Sequence, residues 1–111
     1  MVTASGLEYE EIIAGKGGKA EAGKVMKVHY TGKFPDGRVF DSSLTSGAPF
    51  EFVLGAGRVI KGWDEGIALM HEGGKARLTI PPELAYGKRG AGNVIPPDAT
   101  LVFDVELISI K

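Results

Sequence analysis

The sequence predicts an α+β domain in which four to six antiparallel strands pack against one short helix. Several segments alternate apolar and polar residues, which is the pattern of a strand with one buried face. Only one segment has helical period. In addition, 17 of the 111 residues are glycine, about twice the usual share of roughly 7%. Many tight turns between short strands account for such a glycine content.

Four segments in the first half of the chain follow the strand pattern: 7–10, 26–30, 39–43 and 50–54. A turn at Phe34-Pro-Asp-Gly37 joins the second of these segments to the third as a hairpin, because proline and glycine stand where a turn uses them. Residues 44–49, between the third and fourth segments, are predicted as a loop or bulge.

The second half contains the helix and the longest strand. Ile60, Trp63, Ile67 and Met70 recur at helical spacing, and Gly73-Gly74 is the expected stop. Residues 77–80 form a strand that two prolines close, and 101–107 form the last strand. The glycine-rich segment between them, 83–97, is predicted as a long loop, a feature that is usually functional in a compact domain.

Bulk properties limit the kinds of partner. We expect a single domain over 1–111, with 1–6 as a flexible N-terminal extension. A net charge of −1 does not favour nucleic acid or a membrane surface. The absence of cysteine removes disulfides, thiol nucleophiles and cysteine metal sites. These properties predict a chain without nucleic-acid or membrane partners. We expect it to be a monomer.

The expected compartment is the cytoplasm. Residues 1–6 lack the apolar run of a signal peptide, and no apolar segment approaches the roughly 20 residues that a membrane span needs. An exported form whose signal peptide has been removed is the alternative.

Motifs for cofactors, metals and nucleophiles are weak. Residues 18–24 resemble a phosphate-binding loop, but Val25 stands where that loop needs serine or threonine. His29 and His71 are isolated, and no serine has a base placed beside it. We therefore expect no cofactor, no metal and no nucleophilic hydrolysis.

The single tryptophan, Trp63, is the most informative residue. A tryptophan buries up to about 250 Å² when it is covered, so Trp63 belongs either to the core or to the floor of a pocket. Other aromatic residues lie on segments that can converge on it: Tyr30, Phe40, Phe50, Tyr86 and Phe103. Composition alone favours a core, whereas the place of Tyr86 in the long loop favours a pocket.

Asp41 has two interpretations of the same kind. It follows Phe40 in an apolar strand and precedes two serines. It is either a turn-capping carboxylate bound to local backbone donors or a charge held at the edge of a pocket.

Six motifs together make the chain resemble a known family. They are Val28-His-Tyr-Thr-Gly32, Gly37-Arg-Val-Phe-Asp-Ser-Ser43, Pro49-Phe-Glu-Phe52, Val59-Ile-Lys-Gly-Trp-Asp-Glu-Gly66, Ile80-Pro-Pro-Glu-Leu-Ala-Tyr-Gly87 and Ile95-Pro-Pro-Asp-Ala-Thr-Leu-Val-Phe103. In this order, and over nearly the whole chain, they resemble the FKBP-type peptidyl-prolyl cis-trans isomerases, which bind macrolide immunosuppressants. The chain is similar to a minimal, single-domain, bacterial-like member.

The resemblance implies a strongly twisted antiparallel sheet wrapped around one short helix, with a proline-binding pocket between them. The residues that it implies for catalysis are Asp41, Tyr86, Trp63 and Phe103. Those that it implies for substrate binding are Tyr30, Phe40, Phe50, Val59, Ile60, Trp63, Tyr86, Val94, Ile95 and Phe103. Trp63 would be the floor and Asp41 the rim, while the Ile60 N–H and the Tyr86 hydroxyl would donate to substrate carbonyls.

The resemblance also implies the partners: proline-containing peptides, unfolded or nascent proteins, and macrolides of the tacrolimus and rapamycin type. Three positions depart from well-studied animal members. Ser46 replaces an arginine that pairs with the pocket aspartate, Arg58 replaces a glutamate, and Ala91 replaces a loop histidine. The alternative function is a non-catalytic binding module that holds exposed apolar segments in the same groove.

Overall fold

The protein is described by a computed structural model that covers residues 1–92 and 94–111. Over these residues the chain forms six strands, two α-helices and one 3-10 helix. The strands are β1 (Glu8–Ile13), β2 (Val25–Lys33), β3 (Val39–Ser42), β4 (Phe50–Val53), β5 (Lys75–Ile80) and β6 (Leu101–Ile110). The helices are α1 (Ser43–Ser46), α2 (Lys61–Ile67) and the 3-10 helix Pro82–Leu84.

All six strands join one antiparallel sheet with the order β1-β5-β6-β2-β3, and β4 also pairs with β2. β2 is long enough to pair with two strands along one edge, with β4 beside Val28 and β3 beside Thr31. Its other edge pairs with β6. The predicted fold class, an antiparallel sheet around one short helix, is confirmed.

One face of the sheet is apolar and packs against α2. Alternate residues of β2 and β6 point toward this face and are buried: Met26, Val28, Leu101, Phe103, Val105 and Leu107. From α2 the buried side chains are Trp63 and Ile67. Each fully buried side chain of this size contributes about 1.5–3 kcal/mol, so the contact between helix and sheet is the centre of the core.

Two glycines allow α2 to lie close to β5. A Cβ atom added at Gly62 would stand 2.6 Å from Ile80 Cγ2, and one added at Gly66 would stand 2.8 Å from Leu78 Cδ2. Both partner side chains are fully buried. The spacing of Gly62 and Gly66 therefore sets how near the helix approaches the sheet.

The predicted end of the helix is wrong. α2 ends at Ile67, and two tighter i→i+3 turns follow, in which Leu69 N–H donates to Gly66 O and Met70 N–H donates to Ile67 O. Met70 is still only 2% exposed. Met70 is therefore buried by the turn that follows α2, and not by a further turn of α-helix.

Residues predicted as a loop or bulge contain a one-turn helix instead. In α1 the Ser42 side chain accepts the Leu44 N–H, and Gly47 ends the turn at φ 80°. A serine cap and a following glycine are standard helix signals. The segment has only one large apolar residue, Leu44, so it shows no helical period. β6 also runs three residues beyond its predicted end at Leu107, because Ser109 and Ile110 pair with the start of β2.

The first residues of the chain lie along β1. The Met1 ammonium group donates to Tyr9 O at 3.0 Å, and the Tyr9 N–H donates to Met1 O at 2.8 Å. Flexibility of 1–6 stays a prediction. Within the described residues, no helix has both the length and the apolar character needed to cross a membrane.

We predict that Gly62→Ala destabilises the fold although alanine is the better helix former. The new methyl group would overlap the buried Ile80 side chain, and such overpacking costs about 1–3 kcal/mol. Thermal melting should show a clear fall in Tm. Gly18→Ala is the matched control, because no atom lies within 4 Å of its added Cβ; an equal fall in both variants would contradict the close-packing account.

Candidate active site

A cavity of about 200 Å³ lies between α2 and the buried face of the sheet. Its walls are mostly aromatic or aliphatic and carry two charged side chains. The lining residues are Tyr30, Phe40, Asp41, Phe50, Arg58, Val59, Ile60, Trp63, Tyr86 and Phe103. The structure thus brings together all the site residues expected from the sequence except Val94 and Ile95.

Val94 and Ile95 lie elsewhere in the long loop. Ile95 is 4% exposed and belongs to the core, whereas Val94 is 56% exposed. The loop folds back on itself here, with the Ala91 N–H donating to Ile95 O at 2.9 Å. This closure turns Ile95 inward, and a substrate contact by either residue stays a prediction.

Trp63 forms the floor of the cavity and is 5% exposed. Three rings meet its indole edge to face: Tyr30 at 4.9 Å, Phe103 at 5.3 Å and Phe50 at 6.0 Å between centroids. Each such pair is worth about 0.5–1.5 kcal/mol beyond its buried area. Among the described residues, the indole Nε1 has no hydrogen-bond partner.

Two wall rings meet over a glycine of β2. A Cβ added at Gly32 would stand 2.7 Å from the Phe40 ring and 2.8 Å from the Phe103 ring. The two rings pack edge to face, with centroids 5.6 Å apart. Glycine is needed at position 32 because any side chain there would displace both rings.

Asp41 is held at the rim by a tyrosine. The Tyr30 hydroxyl donates to Asp41 Oδ2 at 2.7 Å, across the pairing of β2 with β3. Burial, followed by the hydrogen bond and the charge of Asp41, raises the pKa of Tyr30 to about 12. Tyr30 therefore remains a neutral donor, and it holds the carboxylate without the arginine that Ser46 replaces.

A buried serine next to this pair was missed by the sequence analysis. Ser43 is 5% exposed. Its Oγ accepts the Tyr30 N–H at 2.8 Å and lies 2.9 Å from His29 Nδ1. These contacts tie the start of α1 to β2 beside the Tyr30–Asp41 pair. The sequence signal that could have indicated these contacts is the pair of serines after Asp41, because serine is a frequent helix N-cap.

Two residues of the cavity lining carry hydrogen-bond donors, Ile60 and Tyr86. Ile60 directly precedes α2, and Tyr86 follows the 3-10 helix on the long loop. Neither the Ile60 N–H nor the Tyr86 hydroxyl donates to another described residue. Both are therefore available to the carbonyl groups of a bound peptide.

The loop before Ile60 is fixed from the helix side. Asp64 accepts the Gly55 N–H at 2.8 Å and the Gly57 N–H at 3.3 Å. Both glycines have positive φ, at 79° and 70°, which turns their amides toward the carboxylate. This arrangement explains why glycine occurs at both Gly55 and Gly57.

No group of three or more His, Asp or Glu side chains that could hold a metal ion occurs in 1–92 and 94–111. His71 Nδ1 lies 3.1 Å from Gly17 O, and neither residue lines the cavity. The cavity itself offers aromatic faces, two donors, one hydrogen-bonded carboxylate and one guanidinium. Such a site can bind and desolvate a peptide group.

A sequence model of the family described as "FKBP-type peptidyl-prolyl cis-trans isomerase" matches residues 16–108. The chain belongs to this FKBP isomerase family. It is 56% identical over 106 residues to FK506-binding protein 1 of Dictyostelium discoideum, covering 96% of this chain and 99% of that protein. It is 63% identical over 92 residues to FK506-binding protein 2 of Yarrowia lipolytica, covering 83% of this chain but 64% of the relative.

Solved structures of FKBP proteins have the same fold. The crystal structure of AtFKBP13 superimposes with a TM-score of 0.93 at 46% identity and covers 99% of this chain and 97% of that chain. FkpA from Escherichia coli gives a TM-score of 0.93 at 47% identity. The alignment with FkpA covers all of this FKBP chain but only 51% of FkpA. Some relatives therefore carry further segments.

We predict that Asp41→Asn lowers the pKa of Tyr30 but leaves it above the ordinary value of about 10. The substitution removes the charge of Asp41, while burial, the largest cause of the shift, remains. Carbon-13 NMR of the tyrosine ζ carbons can follow this titration. Asp36→Asn is the control, because Asp36 is exposed and bonds Arg38 instead.

The raised pKa of Tyr30 determines how the stability of the fold changes with pH. The neutral Tyr30 is favoured in the folded chain, so its contribution is complete below the unfolded pKa of about 10 and is lost as the pH rises toward about 12. A Tyr30 pKa that is unchanged in Asp41→Asn would show that the carboxylate does not act on the phenol.

Proposed function

We propose that this chain catalyses cis-trans isomerisation of X-Pro peptide bonds by holding the proline over Trp63. The observation that carries the proposal is the aromatic cavity, with its floor at Trp63 and unpaired donors at Ile60 and Tyr86. Membership of the FKBP isomerase family supports the same reaction.

The reaction is a rotation and needs no proton transfer. Its barrier of about 18–20 kcal/mol arises from the resonance of the planar amide. At the twisted transition state the resonance is lost, and the carbonyl group becomes less polar. Water stabilises the polar planar amide more than the twisted one, so a dry apolar site favours rotation. A barrier lowered by about 5 kcal/mol gives a rate gain between 10³ and 10⁴.

Each side of the cavity has a role in this proposal. The proline ring packs on Trp63, and the rings of Phe103, Tyr30 and Phe50 keep water away from the amide. The Ile60 N–H and the Tyr86 hydroxyl hold carbonyl groups that flank the rotating bond. Asp41, oriented by Tyr30, supplies a fixed negative charge at the rim that favours one twisted geometry over the other.

The cavity volume limits what enters it. About 200 Å³ is less than the roughly 300–1,000 Å³ of sites that enclose drug-sized ligands. We therefore propose that a proline and part of one neighbouring residue enter, while the rest of the substrate stays on the surface. Proline-bearing segments of unfolded or nascent proteins fit this requirement. We also propose that the enzyme is a cytoplasmic monomer.

Macrolide binding is a second use of the same cavity. Two relatives are called FK506-binding proteins, and a macrolide of the tacrolimus or rapamycin type would place only its proline-like part over Trp63. The departures at Ser46, Arg58 and Ala91 change the rim, while the aromatic floor is complete. We propose that such macrolides bind and compete with peptide.

A protease-coupled assay with Leu-Pro, Phe-Pro and Glu-Pro peptides tests the activity. We expect faster turnover of Leu-Pro and Phe-Pro, because the apolar lining beside Phe40 covers an apolar side chain and leaves a charged one partly desolvated. The uncatalysed rate must be subtracted. Equal rates would remove the preference, whereas binding of peptide without any rate above background would support the non-catalytic module.

We predict that Trp63→Leu lowers kcat/KM more than Asp41→Ala does. Leucine keeps an apolar floor but loses the ring contacts, for which we expect a loss above about tenfold. Asp41→Ala removes one hydrogen-bonded charge, for which we expect about two- to tenfold. Folding of each variant is checked by thermal melting.

Ile67→Val is the control for stability. Ile67 is fully buried on the same helix as Trp63 but does not line the cavity. Once folded, this variant should retain the parent activity. If Trp63→Leu is fully active while Asp41→Ala is dead, a charge-based mechanism replaces the desolvation account.

A further inference from the structure

Arg58 is an exposed guanidinium on the wall shared by two depressions. It lines the Trp63 cavity, and it also lines a neighbouring groove along β4, whose other lining residues are Val25, Phe50, Glu51, Phe52 and Val53. Phe50 is the second residue common to both. A peptide that leaves the cavity past Phe50 therefore enters this groove, which we call the β4 groove.

The strand that forms the β4 groove has an open edge. Among the described strands, β4 pairs with β2 alone. No other described segment makes a backbone hydrogen bond to Phe50–Val53. Alternate residues of an edge strand direct N–H and C=O groups outward, where an extended chain can pair with them. The β4 groove is therefore suited to extended backbone.

The charge of Arg58 is not neutralised within the described part of the chain. It takes part in none of the ion pairs there, which join other residues. Two acidic residues of this region have other partners: Asp64 accepts the Gly55 and Gly57 amides, and Asp41, in the same cavity lining as Arg58, accepts the Tyr30 hydroxyl. Glu51 stands opposite Lys27 in the pairing of β4 with β2.

Glu51 also lines the β4 groove, but it forms no ion pair with Arg58 within the described residues. Phe50 and Phe52 pair with Val28 and Met26, which point to the buried face. The side chain of Glu51, between them, alternates to the other face, where Lys27 stands opposite it. Arg58 lines the cavity as well, and Asp64 anchors the loop before it through the Gly55 and Gly57 amides. The guanidinium is thus presented to the substrate side from a fixed backbone.

We propose that the β4 groove is a subsite for the extended part of the substrate, in which Arg58 selects an acidic side chain. The residue it recognises belongs to the extended segment outside the cavity, where successive residues are about 3.3 Å apart. It is not the residue directly before the proline, which the apolar lining covers. This inference rests on the proposed isomerase function and adds the substrate class to it.

The test uses pairs of capped Leu-Pro peptides that differ only by Glu or Gln, two or three positions from the proline on either side. With the parent chain we expect kcat/KM to favour Glu by about two- to fivefold at positions on one side, the size expected of an exposed ion pair. The preference should disappear in 1 M salt, where charges are screened over about 3 Å.

Variants identify the residue responsible. Arg58→Gln should bring the Glu-to-Gln ratio to one, Arg58→Glu should invert it, and Arg58→Lys should keep part of it. Lys61→Gln is the matched control, because Lys61 is exposed, lies three residues away and does not line either depression. It makes the same change of net charge and should keep the parent ratio.

Three kinetic results would overturn the subsite: no Glu preference in the parent at any position, a preference that survives in Arg58→Gln, or an equal loss in Lys61→Gln.

Amide NMR maps the path of the bound peptide. We expect the Glu peptide to shift the amide signals of Phe50–Val53; shifts confined to the opposite face of the sheet would contradict the subsite. A parent that turns over no peptide defeats the isomerase proposal instead, so the two failures are distinguishable.

Discussion

The contact of α2 with the sheet is the constraint on which the rest of the structure depends. Gly62 and Gly66 let the helix lie against Ile80 and Leu78, and Trp63 is placed by the same turn of helix. Because the helix is only seven residues long, its position is set by this packing rather than by its own propensity. The cavity exists because the glycine-faced side of α2 packs tightly while the Trp63 side is bordered by rings that do not fill the space.

An open aromatic cavity has a cost in exposed apolar surface. Phe50 and Tyr86 remain 40% and 41% exposed, although a chain of this size has little apolar area to spare. The cluster around Trp63 compensates, since edge-to-face contacts with Tyr30 and Phe103 stabilise the floor.

Charges around the cavity are few and are fixed by neutral partners. Tyr30 holds Asp41, and the amides of Gly55 and Gly57 hold Asp64. Hydrogen bonds of this kind orient a carboxylate without a neighbouring cation. The result is a site whose floor is apolar and whose polarity lies at the rim, with Asp41 and Arg58 both in its lining. The two proposals, rotation of the X-Pro bond over Trp63 and selection of the surrounding sequence by Arg58, therefore depend on different residues.

The sequence by itself determined the strand pattern, the single buried tryptophan and the family, because alternation, turn residues and motif spacing are local properties of the chain. It also named most of the cavity lining, through motifs that hold aromatic residues at set positions. It did not determine where α2 ends or that Ile95 turns inward, since both follow from how the long loop and the turn after Ile67 pack. The Tyr30–Asp41 bond, the buried Ser43 and the shared position of Arg58 were decided only by tertiary structure, because each joins residues that are distant in sequence and meet only when the strands pair.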